Sequence, residues 1–200
     1  MTEISTSTPG AGAASDRRRP RLAVWGLAAG VFLADEVSKS LALAAAPDPP
    51  TAPGHGGWLS LRLVHNTGAS FGVGAGHPLV ITLVAALSSV VVLTVLLRTR
   101  RSGTALAWAA VLGGTAGNLA DRFFRSPGLG QGAVVDWIHV SGYPPSFNLA
   151  DVAIRVGAVA ALIALAVTTR SGVGEQGAAS ARFLSKGSRS PHDAGSTGRS

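Results

Sequence analysis

The sequence predicts an all-α membrane protein: four transmembrane helices with a small extracytoplasmic β-sheet. Three observations predict it. Of 200 residues, 46% are hydrophobic and only 14% charged, whereas soluble domains carry about a quarter charged; mean hydropathy is +0.34. The apolar residues gather in four segments. The 17 Lys and Arg residues fall unevenly between those segments, as they do in chains whose orientation is set by basic loops. A formal charge of +7 would suit nucleic acid, but the basic clusters flank apolar runs and lack interleaved aromatics, so no nucleic-acid partner is expected. The absence of cysteine excludes disulfides, thiolate catalysis and Cys-based zinc sites. The five histidines are scattered without metal-site spacing, so no metal is expected.

Residues 1–20 are rich in Ser, Thr, Gly and Ala without apolar period and read as a disordered cytoplasmic tail. Residues 171–200 read the same way. The domain between them, 21–170, holds everything else. Its first segment runs from Leu22 to Ala34, is interrupted by "DEVSKS" and resumes as "LALAAA", which imitates a cleavable signal peptide. Pro47 after the small residues, and Asp35, Glu36 and Lys39 before them, favour an uncleaved span instead. In that span Asp35 and Lys39, four residues apart, pair on an interior face.

A strand follows, "WLSLRLVHN", in which Leu59, Leu61 and Leu63 alternate with Ser60 and Arg62, a half-buried pattern. Leu79–Leu97 offers 19 uncharged residues, about 28 Å of helix at 1.5 Å per residue, enough to span. The third segment, Thr104–Phe124, carries Gly113 and Gly117 at the spacing that permits close helix approach. "AVVDWIHV" is rich in β-branched residues and can pair with the first strand. Leu149–Thr168 is the last segment. Twelve Lys and Arg lie on the side of the termini against three (Arg62, Arg122 and Arg125) on the other, so both termini are expected in the cytoplasm and the two strands outside.

The polar residues that hydropathy does not explain all belong to the outer boundary. Taken singly, each has a structural reading: Asp121 as the helix-end ion-pair partner of Arg122, Asn148 as an N-cap, Asp151 as a partner of the helix dipole. Taken together, Asp136 and Asp151 sit fifteen residues apart across a loop with Pro144 and Pro145 and can converge where low dielectric and mutual repulsion make them share a proton. Such a pair suits hydrolysis: one carboxylate draws a proton from water while the other, protonated, hydrogen-bonds the carbonyl under attack. Asp121 is the rival second carboxylate. Arg155, one turn beyond Asp151, either lowers the pKa of that aspartate or points away from it.

The ordered blocks "DEVSK" (35–39), "NTGASFG" (66–72), "GGTAGNLADR" (113–122), "VVDWI" (134–138) and "FNLAD" (147–151) resemble lipoprotein signal peptidase, the bacterial signal peptidase II, over residues 22–168. The resemblance implies an intramembrane aspartyl endopeptidase of the bacterial plasma membrane that cleaves diacylglyceryl-modified prolipoproteins N-terminal to the lipidated cysteine. It implies that Asp136 and Asp151 are the catalytic dyad and that Asn66, Asn118, Arg122 and Asn148 bind substrate and orient the dyad. Asp35, Lys39, Gly114, Gly117 and Asp121 would support the site. Water would be the nucleophile, with no cofactor; prolipoproteins and membrane lipids would be the partners of a monomer. The rival readings are a small proton-coupled transporter or channel relaying through Asp35, Asp136 and Asp151, and a scaffold without catalysis.

Overall fold

A computed structural model describes residues 11–45, 58–69, 72–143 and 145–167, with side chains from residue 21 onward. Most of the expected tails fall outside these residues. The elements are α1 (Ala11–Ala45), β1 (Leu59–Asn66), α2 (Pro78–Arg98), α3 (Ser102–Phe124) and β2 (Val134–Val140), followed by α4 (Leu149–Val167). The chain is mostly helical with one two-stranded sheet. Everything that builds the site lies in the compact unit ending at Ala161; α4 continues into a second unit from Leu162.

The two halves of the first segment form one helix, so "DEVSKS" does not break α1. Its polar residues turn inward: Asp35 and Lys39 are fully buried, while Leu22, Leu33, Val37 and Leu41 are exposed. This inverts the soluble pattern and fits a helix whose outer solvent is lipid. In α2, Pro78 occupies the first turn, where its missing N–H costs nothing. Leu79, Val80, Leu83, Val84, Leu87, Val90 and Val91 face outward, an apolar surface of the kind that marks contact with membrane. The hydroxyls of Ser88, Ser89 and Thr94 donate at 2.8 Å to the carbonyls four residues earlier, so they need no water. By length and composition, α2 and α4 are the helices that qualify as spans among the described residues.

Helix α3 has small residues where its neighbours come closest. A Cβ on Gly113 would strike the Ala28 carbonyl oxygen of α1, and one on Gly117 the Asp35 carboxylate. On the α4 side, a Cβ on Gly114 would lie 2.6 Å from the Ala150 carbonyl oxygen, and Gly157 would meet the Ala107 carbonyl oxygen at 2.7 Å. Glycine therefore sets the separation of α1, α3 and α4 at the level of the polar cluster.

Strands β1 and β2 pair antiparallel, with Val64 opposite Asp136 and Asn66 opposite Val134; the register shifts between Leu61 and Val64. The alternation expected to bury one face of β1 is not realised inside the chain, because Leu59 and Leu61 are 58% and 41% exposed and the bulge interrupts the two-residue period. Phe147 adds a single bridge on the far side of β2: it receives the Trp137 and Ile138 N–H groups at 3.0 and 2.8 Å and donates to the Ile138 carbonyl at 2.9 Å. That bridge draws the start of α4 alongside Asp136.

Candidate active site

The site forms where the sheet, the start of α4 and the C-terminal turns of α1 and α3 meet. Asn148 does two jobs. Its Oδ1 accepts the Asp151 N–H at 2.9 Å, capping the first turn of α4, which commits its Nδ2 to the other side. There Nδ2 donates to Asp136 Oδ1 at 2.7 Å and to Asn118 Oδ1 at 3.1 Å. Asn118 passes the orientation on, its Nδ2 donating to Asp151 Oδ1 at 3.0 Å. Two amides thus bridge the two carboxylates.

Asn66 completes the shell of Asp136. Its Oδ1 accepts the Gly68 N–H at 2.9 Å in a local turn, and its Nδ2 donates to Asp136 Oδ2 at 3.1 Å. Arg122 does not pair with Asp121 as the helix-end reading expects. Its Nη2 donates instead to the Gly68 carbonyl at 2.6 Å, holding the turn after β1, and its Nη1 is buried without a hydrogen-bond partner among the described residues.

Asp121 is taken up by other groups. Its oxygens face Lys39 Nζ at 2.7 Å, the Val135 N–H at 3.1 Å and the Arg125 guanidinium, so it is engaged in fastening α1 and β2 to α3. Lys39 also pairs with Asp35 at 2.6 Å and donates to Asn118 Oδ1 at 3.2 Å. The Asp35 carboxylate in turn accepts the Ala150 N–H of α4 at 2.9 Å. A buried cation flanked by two buried carboxylates is stable only when every partner is present. Here it also decides which end of the Asn118 amide faces Asp151.

The two aspartates differ electrostatically. Burial first, and then the charge of Asp151, push the Asp136 carboxyl up to about 6, against the opposing pull of the Asn66 and Asn148 amides and of Lys39. The Arg155 guanidinium lies over the Phe147 ring, 5.8 Å from its centroid. Several supporting residues were not singled out by sequence reading: Thr82, which donates to the Gly130 carbonyl at 2.6 Å; Gly132, whose Cβ would meet three α3-end carbonyl oxygens within 2.9 Å; and Glu36, 3.6 Å from Arg125. Only the four-residue spacing of Asp121 and Arg125 offered a signal in the sequence.

A helical bundle with apolar outer faces, gathering two coupled carboxylates under a small sheet, defines a membrane enzyme equipped for aspartic-type chemistry. Residues 27–167 match the family model described as signal peptidase (SPase) II. The chain belongs to the signal peptidase II family, and is an aspartic-type endopeptidase. It is 37% identical to a lipoprotein signal peptidase of Streptomyces griseus over 80% of this chain and 81% of that one. It is 42% identical to one of Rhodococcus jostii over 70% of each chain, and 39% identical to one of Mycobacterium avium over 75% of this chain and 82% of that one. Its fold is similar to that of a bacterial membrane enzyme solved in meso at 2.3 Å resolution, with TM-score 0.61 and 23% identity over 72% of this chain and 87% of that one.

Proposed function

We propose that this protein removes the signal peptide from diacylglyceryl-modified prolipoproteins, cleaving on the N-terminal side of the lipidated cysteine, with Asp136 and Asp151 as the catalytic dyad. The observation that carries this is the amide bridge: Asn148 and Asn118 link the two carboxylates while capping and packing fix both amides. In this mechanism Asp136, raised to about 6, holds the shared proton and Asp151 is the base. Asp151 takes a proton from water, and the oxygen adds to the scissile carbonyl carbon. Asp136 hydrogen-bonds the carbonyl oxygen as charge develops there. Collapse of the tetrahedral species breaks the C–N bond, and the cysteine nitrogen leaves with a proton returned by the dyad.

Asn66, Asn118, Arg122 and Asn148 then serve as donors that orient the dyad and meet the extended backbone of the substrate, whose polar groups need partners at the edge of lipid. Asp35, Lys39, Asp121, Gly114 and Gly117 brace them. All four helices cross the bilayer in this reading. Hydropathy alone singles out α2 and α4 because α1 and α3 turn Asp35, Lys39, Asp121 and Arg122 inward. Both termini face the cytoplasm, the sheet lies outside, and one chain suffices. The transporter reading needs polar groups at successive depths, but the Ser88, Ser89 and Thr94 hydroxyls of α2 are closed onto their own backbone and that of Thr82 onto the Gly130 carbonyl.

The test is incubation of the purified protein with a lipidated and an unlipidated precursor. The expected result is a new amino terminus at the modified cysteine from the lipidated one only. Asp136→Asn and Asp151→Asn should each lower turnover by about 10²–10⁴-fold with the protein still in the membrane; full activity in either would sink the dyad.

A further inference from the structure

We propose that the cavity on the sheet side of Asp136 receives the residues immediately downstream of the modified cysteine, and that Arg62 makes it select acidic ones. This deepens the signal peptidase reading and rests on it. The cavity, about 450 Å³, is walled by Arg62, Val64, His65, Asn66, Asp136 and Ser146 among others. It touches Asp136, on the sheet, but not Asp151, on α4. A lipid-anchored substrate must keep its signal helix and acyl chains in the bilayer beside α4, so the segment leaving toward water lies on the sheet side.

The charge of this cavity is one-sided. Asp136 is the sole acid among the described residues lining it, and that carboxyl belongs to the reaction. Arg62 has no ion-pair partner among the described residues. It lines the same cavity as Val64 and Asn66 and stands in the bulge just before Val64, the residue opposite Asp136. Two residues of chain span at most about 7 Å, within the reach of an extended peptide from the scissile carbonyl to the second residue beyond it. Ser146 adds a buried hydroxyl oxygen without a hydrogen-bond partner among the described residues, a free contact for the departing backbone. A guanidinium at that distance, beside an unspent hydroxyl, suits a carboxylate side chain on the substrate.

The experiment uses lipidated precursors identical except for Asp, Asn or Lys after the cysteine, assayed in one uncharged detergent with the full-length protein and its Arg62→Gln, Arg62→Glu and Arg62→Lys variants. The quantity read is the ratio of kcat/KM for the Asp over the Lys precursor. It should be about tenfold in the parent, be retained by Arg62→Lys, approach unity in Arg62→Gln and invert in Arg62→Glu. Equal use of the three precursors by the parent, or a ratio that survives both Arg62→Gln and Arg62→Glu, overturns the proposal. If Arg62 instead held a lipid phosphate, all precursors would slow together and the ratio would stand, which also overturns it. Should Arg62→Glu fail to fold, the Gln and Lys variants decide the matter. Failure of the parent to cleave any precursor would strike the peptidase reading itself.

Discussion

The surroundings of Asp136 favour the neutral form of its carboxyl, and this bears on both activity and stability. Its pKa in the folded protein, about 6, lies above the ordinary 3.8. The stability it contributes is therefore complete below pH 3.8 and is lost as pH rises through 6. Asp136→Asn removes the ionisation, so the fall in melting temperature that the parent shows between about pH 5 and pH 7 should be reduced in that variant; an unchanged pH dependence would contradict the raised pKa. For the parent, kcat/KM should fall on the alkaline side with an apparent pKa near 6, a value that belongs to the coupled pair. Lys39 has the reverse character. Lys39→Met strands two buried carboxylates, and thermal unfolding in detergent should register a loss of about 3–5 kcal/mol. Arg155 is spent on Phe147, at an exposed site worth about 0.5–1 kcal/mol. Arg155→Ala should leave the alkaline limb where it was; a displaced limb would mean that Arg155 acts on the dyad after all.

Among the elements, α3 decides the geometry because two neighbours, α1 and α4, take their distance from its glycines. At Gly114 an added side chain meets the Ala150 carbonyl oxygen at 2.6 Å and Ile154 Cγ1 at 2.9 Å. Backbone cannot yield as a flexible side chain does, so α4 must shift outward, carrying Asn148 and Asp151 away from Asp136. Gly114→Val should cost about 1–3 kcal/mol of stability and slow processing about a hundredfold, as misplacement by an ångström does. Unchanged turnover in that variant would show that the α3–α4 distance does not set the dyad. The short pairing of Phe147 with β2 works at the same scale. A two-stranded sheet is marginal by itself; the bridge ties it to α4, and Asp121 ties it to α3 through the Val135 N–H.

At the scale of the whole molecule, the outward apolar faces and inward charges make sense only with lipid around the bundle. The sheet keeps Leu59 and Leu61 exposed, and a membrane surface beneath it would cover what the chain does not. The twelve-to-three distribution of basic residues predicts that reporters fused at either terminus are cytoplasmic, and that one inserted after Arg125 is external. An external reporter at one terminus alone would require an odd number of spans and would refute the four-helix arrangement; external reporters at both would reverse its orientation.

The sequence alone determined the long apolar helices, the two strands and the boundary at which polar residues collect. Length, periodicity and β-branching act locally, within one or two turns, and a single chain displays them directly. The pairing of Asp35 with Lys39, four residues apart on one helix, was legible for the same reason. Tertiary structure decided what each polar group does: that Asp121 fastens Lys39, Arg125 and β2 instead of pairing with Arg122, that Arg122 holds the turn at Gly68, and that one lysine orients an amide 79 positions away. Those choices depend on which donors and acceptors meet across helices once water is excluded. No local pattern records them, because a buried polar group is satisfied by whichever partner the packing delivers.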